Sequence, residues 1–89
     1  MEKSNFGVAL EAIKQGNKIA REGWNGKGMF LFYNNGRLNT ISYKAVSEGI
    51  IENGLEVAPF ILMKTADNKL VPWLASQTDV LAEDWIIIN

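Results

Sequence analysis

The apolar positions of this chain change period several times, and each change marks an element. Phe6, Ala9, Leu10 and Ile13 recur at helical spacing, with Glu11, Lys14 and Gln15 on the other side. This pattern predicts a helix over residues 5–15. Ser4 or Asn5 can cap its start, and Gly16 supplies the left-handed position that ends it. Gly7 in the first turn costs roughly 1 kcal/mol against alanine, so it marks a candidate close backbone approach. Phe6 reads as core. Lys18 to Glu22 predicts a short strand with Ile19 and Ala20 on opposite faces, and Met29 to Tyr33 a strongly apolar one. Asn35-Gly36 asks for a primed turn, so a hairpin is expected with Tyr33 facing Leu38 and Phe30 facing Ile41.

Residues 43–53 carry two patterns at once. Tyr43, Val46 and Ile50 have helical spacing, Ser42 could cap and Gly54 could terminate, yet Gly49 interrupts the run. The alternative is an ordered loop with one helical turn. Pro59 opens a nearly all-apolar strand, Phe60 to Thr65, expected to be central or at an interface. Asp67-Asn68 makes a tight turn. Lys69 to Trp73 returns as an edge strand or strand end, because Pro72 lacks a donor for the ladder. Ser76 with Asp79 forms a capping box, predicting a helix from about Gln77 to Glu83. The apolar run from Trp85 to Ile88 then predicts a closing strand buried on both faces. Residues 1–89 thus read as a single α+β domain. It has an antiparallel sheet of about five strands, an N-terminal helix and a short C-terminal helix, with the helices on one side.

Composition narrows the function classes. The hydrophobic fraction is 47%, more than a domain of this size covers alone, which supports a homo-oligomer with the surplus at a subunit interface. Formal net charge is −1 and the 9 basic residues are scattered, so the phosphate-neutralising footprint of a DNA- or RNA-polymer binder is missing. The absence of cysteine removes disulfides and thiolate metal sites and fits a reducing cytosol. The absence of histidine removes the commonest general base and metal ligand. No apolar run approaches a membrane span, and the first residues lack signal-peptide architecture. The chain is therefore expected to be intracellular.

Chemistry concentrates in two stretches. The loop Gly23-Trp24-Asn25-Gly26-Lys27-Gly28 fits neither the P-loop, which needs Ser or Thr after Gly-Lys, nor the dinucleotide fingerprint, which needs a helix next. Its backbone N–H groups could still make an anion-binding concavity beside Lys27. The simpler reading is a plain glycine turn. Trp24 lies in a polar setting that suits stacking on a planar group. The second stretch, Val71 to Trp85, places Trp73 beside the helix start Ser76-Gln77-Thr78, whose unpaired N–H groups suit an anionic ligand. Either tryptophan could instead fill the core, and Trp85 reads as core outright. Asp79 reads as a cap. Glu83 and Asp84 could form an acid/base pair or hold a hard cation. Without histidine, cysteine or a nucleophile–base arrangement, the chain is not expected to be an enzyme, and no cofactor or metal is called for.

Arg21-Glu22-Gly23-Trp24-Asn25-Gly26-Lys27-Gly28-Met29, Met63-Lys64-Thr65-Ala66, Val71-Pro72-Trp73-Leu74-Ala75-Ser76-Gln77-Thr78-Asp79 and Leu81-Ala82-Glu83-Asp84-Trp85 together resemble a known family. It is the small phage family that includes the second type of Thoeris anti-defence protein. The opening Asn5-Phe6-Gly7 with Ala9-Leu10 fits it too. The resemblance covers nearly the whole chain outside roughly residues 34–57, where family members vary. It implies a non-enzymatic sponge in the host cell cytoplasm that holds a glycocyclic ADP-ribose immune signal intact and keeps the downstream effector inactive. It also implies a homotetramer with ligand pockets between protomers. Some relatives bind cyclic oligonucleotide signals as well, so a cyclic di- or oligonucleotide is the alternative cargo. A phage protein-interaction module is the alternative of a different class. Read by residue type, Trp24, with or without Trp73, is expected to pack on the adenine. Asn25, Gly26 and Lys27, with Ser76, Gln77 and Thr78, would serve phosphates and riboses.

Overall fold

The computed structural model describes residues 2–24, 27–35 and 44–88. Helix α1 runs Phe6–Lys14. Asn5 is its cap, its side-chain oxygen accepting from the Val8 N–H at 2.9 Å. The helix stops at Gly16, whose φ of +98° is a left-handed conformation that costs glycine little. Five strands follow: β1 Lys18–Arg21, β2 Phe30–Asn34, β3 Phe60–Lys64, β4 Leu70–Pro72 and β5 Trp85–Ile88. A 3-10 turn, Glu22–Trp24, leaves β1, and a one-turn helix α2, Gln77–Val80, precedes β5. The strands form one antiparallel sheet in the order β4-β3-β2-β1-β5.

Register explains the core. Ile87, Ile19, Leu31, Met63 and Val71 stand opposite one another in a row across all five strands. Alternation puts that row on one face, and α1 packs over its β5, β1 and β2 members while Val71 stays exposed. Ala9, Ala12 and Ile13 of the helix cluster with Ile19, Leu31 and Trp85, all buried. Each fully buried aliphatic side chain here contributes about 1.5–3 kcal/mol.

The two sheet edges are treated differently. On β4, the Trp73 N–H donates to the Ile61 carbonyl and the Thr65 N–H to the Lys69 carbonyl, so the odd-numbered positions face β3. Pro72 then has its nitrogen on the open edge, where a missing donor costs nothing and blocks strand addition. At the opposite edge Ser4 closes on Trp85 through a reciprocal pair of hydrogen bonds of 2.7 and 3.1 Å.

Several expectations change. The predicted strand Trp85 to Ile88 forms, but as an edge: Trp85 and Ile86 are buried while Ile87 and Ile88 are half-buried. The C-terminal helix ends at Val80 instead of Glu83, because the Glu22 N–H donates to the Asp84 carbonyl and draws the chain into extended pairing with β1. Gly7 marks no close approach; it is exposed, and a Cβ there would only touch the Asn5 side chain at an ordinary 3.4 Å. Residues 44–47 form a single helical turn, the looser of the two readings. The second arm of the Asn35-Gly36 hairpin falls outside the described residues. In the described sheet Phe30 stands opposite Lys64 and Tyr33 opposite Ile61, while Leu31 is flanked by Ile19 and Met63.

The protein is elongated, 46 × 26 × 25 Å, with a radius of gyration of 15.1 Å against about 12 Å for a compact domain of this length. Its surface of 6346 Å² compares with about 5,200 Å² for a compact monomer of its mass.

Two glycines separate backbone strain from space. At Gly16 nothing lies within reach of a new Cβ, so Gly16→Ala isolates the cost of the left-handed backbone, about 1–2 kcal/mol. Gly7→Ala should instead stabilise by about 0.5–1 kcal/mol through helix propensity. Urea midpoints of the two variants should move in opposite directions.

Candidate functional site

Trp85 is the largest fully buried side chain, and three aromatic rings lean on it. Phe6 lies at 5.4 Å, Trp24 at 5.6 Å and 81°, and Trp73 at 6.0 Å and 86°. Phe6 also meets Trp73 at 6.1 Å. The two tryptophan contacts are edge-to-face, the arrangement that opposes positive edge to negative ring face. The Trp85 indole N–H donates to the Asp79 carbonyl at 2.8 Å. Trp24 is thus half-buried and packed on the core, and does not stand clear of it in a polar loop. Its position follows from the 3-10 turn, which carries it back over β5.

One guanidinium organises the polar side. Arg21, at the end of β1, donates from Nε to Asp84 at 2.8 Å and from Nη1 to Asp79 at 3.0 Å. The three side chains are only 15–31% exposed. Asp84 is held below its ordinary pKa, chiefly by the hydrogen bond from Arg21. For Asp79 burial pushes upward, but hydrogen bonds from Ser76 and Arg21 outweigh it and the net shift is downward. Arg21 is raised in turn, first by Asp84 and then by Asp79. Glu83 is exposed and takes no part. The sequence pairs Glu83 with Asp84 as an acid/base or cation site; the fold pairs Asp84 with Asp79 across a cation instead. Among the described residues no carboxylate cluster has the form of a metal site.

The capping box at α2 forms as expected. Ser76 Oγ accepts from the Asp79 N–H at 3.1 Å, and Asp79 Oδ2 accepts from the Ser76 N–H at 3.2 Å and from the Ser76 hydroxyl at 2.8 Å. Thr78 Oγ1 lies 2.8 Å from Ser76 Oγ. A carboxylate therefore already sits at this helix start, and the Ser76 hydroxyl is engaged three times. Gln77 and Thr78 remain exposed. In the glycine loop, Asn25 and Gly26 lie outside the described residues. Lys27 is exposed and its N–H donates to the Trp24 carbonyl. Gly28 adopts φ +70°, and its carbonyl accepts from Lys64 at 2.9 Å, a tie from β3 that has no local signal in the sequence.

A cleft of about 580 Å³ opens between α1 and the β2–β3–β4 side of the sheet, lined by Phe6, Leu10, Lys14, Tyr33, Phe60 and Trp73, with Pro59, Ile61 and Ala75 at its margins. Of the site residues expected from sequence, only Trp73 lines it, with Ser76 one residue beyond Ala75. Trp24 meets Trp73 only indirectly, through Trp85. The cleft residues have a signal in hindsight: Phe6, Leu10 and Lys14 recur at i, i+4 and i+8, a second stripe on α1 beside the Ala9–Ala12–Ile13 stripe that serves the core.

Comparison with known proteins gives a likeness along nearly the whole chain. The family described as Thoeris anti-defense 2-like domain matches residues 4–88. A protein of Bacillus phage SP01 named Thoeris anti-defense 2 is 44% identical over 92 residues, covering 98% of this chain and 97% of its own.

Arg21→Met should remove hydrogen bonds to two charged partners and cost about 1.5–3 kcal/mol per bond before solvent screening reduces it. The pH dependence follows from the lowered carboxylates. Their stabilisation is fully present above the ordinary 3.8 of an unfolded aspartate and is lost as pH falls through their folded values. The stability gap between wild type and Arg21→Met, measured by denaturant titration, should therefore hold from pH 7 to 5 and narrow below about pH 4.

Proposed function

Because the chain belongs to the Thoeris anti-defense 2-like family, we propose that it is a phage anti-defence protein that sequesters a glycocyclic ADP-ribose immune signal without degrading it. Holding the signal would keep the Thoeris effector from being activated. The observation that carries this reading is the 44% identity to the Bacillus phage protein over nearly the full length of both chains. A shared whole domain, not one shared motif, underlies it.

The chemistry of the chain supports retention over conversion. Asp79 and Asp84, the best-placed carboxylates, are held ionised by Arg21, which suits them poorly to donate a proton as a general acid. The chain has no histidine or cysteine to replace them. A sponge must also bind at low signal concentration, which favours a preformed pocket that covers most of its ligand. The cleft beside Trp73 has a suitable volume. Trp24, Asn25, Gly26 and Lys27, with Ser76, Gln77 and Thr78, remain the residues proposed for phosphates, riboses and a further stacking contact, and no cofactor or nucleic-acid polymer is required.

A homotetramer in the host cytoplasm completes the reading. Its support is the surface the chain leaves uncovered. That surface exceeds a compact monomer's by about 1,100 Å², more than the roughly 800 Å² per partner of a standard interface. Leu74 and Leu81 are 92% and 75% exposed, and Leu70, Ile50 and Leu55 are exposed too. A partner subunit that covered them would remove this apolar surface from water.

The test is direct. The protein is incubated with glycocyclic ADP-ribose, or separately with cyclic dinucleotides, freed of unbound material, heat-denatured, and the supernatant analysed by mass spectrometry. Release of the intact cyclic ADP-ribose species is expected. Intact cyclic dinucleotide alone would change the cargo, a converted product would make the protein an enzyme, and no retained nucleotide would favour a protein-interaction module.

A further inference from the structure

We infer that Asp84 is a positioning residue: it clamps the turn Glu22–Trp24 to the start of β5 and thereby sets the orientation in which the Trp24 indole meets a ligand. The clamp itself rests on geometry. Its bearing on binding rests on the nucleotide-sponge reading, in which Trp24 is a ligand contact.

The first observation is convergence, for three consecutive residues are tied to Asp84. Arg21 Nε donates to its carboxylate at 2.8 Å, the Glu22 N–H donates to its carbonyl at 2.9 Å, and Gly23 adds a backbone hydrogen bond to its carboxylate. The N–H groups that open a helical turn have no partner inside it, and a carboxylate at that end supplies one. Arg21 keeps this carboxylate ionised, which makes the bonds charge-assisted and strong for their kind.

The second observation is that the turn has little else to define it. It is 3 residues long, and a Cβ built on Gly23 would meet nothing within 4 Å. The Glu22 side chain pairs with Lys3 at 3.2 Å, but both are about half exposed, so that pair contributes little. The Trp24 carbonyl accepts from the Lys27 N–H at 3.2 Å, a bond within the same loop that does not tie it to the core. The edge-to-face contact of Trp24 with Trp85, at 5.6 Å, forms only when the backbone delivers the ring there.

The third observation is a division of labour between the two partners of Arg21. Asp79 is committed to α2 through its capping box with Ser76. Asp84 serves the Trp24 turn and, as the neighbour of Trp85, places that turn over the indole on which Phe6 and Trp73 also rest. A side chain ordered before binding lowers the ordering cost of the complex. A loosened Trp24 should therefore weaken retention even with every ligand contact still present.

Ring-to-ring nuclear Overhauser contacts read the clamp, with Trp24→Phe and Trp73→Phe assigning the indoles. In Asp84→Ala the Trp24–Trp85 contacts should disappear while the Trp73–Trp85 contacts persist. Asp84→Asn keeps one acceptor oxygen and should retain the Trp24–Trp85 contacts in weakened form. Affinity for glycocyclic ADP-ribose, measured by calorimetry, should fall about tenfold in Asp84→Ala and less in Asp84→Asn. Unchanged Trp24–Trp85 contacts in Asp84→Ala overturn the clamp. So does joint loss of both sets of contacts in Asp84→Asn, which makes Asp84 a support of the core alone. If Asp84→Ala does not fold, Asp84→Asn decides, and Trp24–Trp85 contacts as strong as the wild type's overturn the clamp. A loosened Trp24 with undiminished affinity overturns its bearing on binding. If the contacts behave as expected but the wild-type protein binds no nucleotide, the sponge reading falls and the clamp stands.

Discussion

Burying an indole is favourable only when its N–H finds an acceptor, and for Trp85 that acceptor is the carbonyl of Asp79. The requirement propagates. Asp79 must be held where its carbonyl faces the core, and the capping box with Ser76 does so from one side. Arg21 does so from the other, and its second carboxylate, Asp84, is the residue next to Trp85 itself. The chain thus closes a ring of dependencies from Trp85 to Asp79, through Arg21, to Asp84 and back. Around that ring the other aromatic side chains find their orientation, since Phe6, Trp24 and Trp73 all rest on the same indole.

Parts of the molecule whose signals are local are readable from the sequence. The Asn5 cap, the Gly16 stop, the Ser76–Asp79 box, the Asp67-Asn68 turn with Asn68 at φ +63° and the edge character imposed by Pro72 all depend on residues within a few positions of one another. What escapes depends on distance along the chain. Arg21 lies 58 and 63 positions from its partners, and nothing in Arg21-Glu22-Gly23 announces a carboxylate pair so much later in the chain. The C-terminal helix is shorter than its local pattern for the same reason: its natural continuation is overruled by pairing with β1. Of the cleft's lining only Trp73 is singled out by a local pattern, a tryptophan beside a helix cap. Most of the rest of the cleft comes from α1, β2 and β3, where Phe6 reads from its spacing as core and Lys14 as part of the polar side of the helix.

The charges and the donors of this domain are distributed unequally. Around Arg21 the carboxylates and guanidinium neutralise one another and the hydrogen bonds are short, a partly buried network that rigidifies what it touches. Along the cleft the lining is aromatic and aliphatic apart from Lys14. One flank of the domain is thus held by a charged hydrogen-bonded network and the other by aromatic and aliphatic packing.

The sheet order has a consequence for when this domain can exist. β1 pairs with β2 on one side and with β5 on the other, so the strand begun at Lys18 waits for the strand that begins at Trp85. A nascent chain that stops short of β5 lacks the central indole and the edge partner of β1. Folding during synthesis is therefore deferred until Ile88 has been made, and the closure it then performs spans most of the chain, the kind of contact that slows folding. A chain ending a few residues before Trp85 would carry the amphipathic helix and four of the strands but lack the indole on which the buried cluster converges.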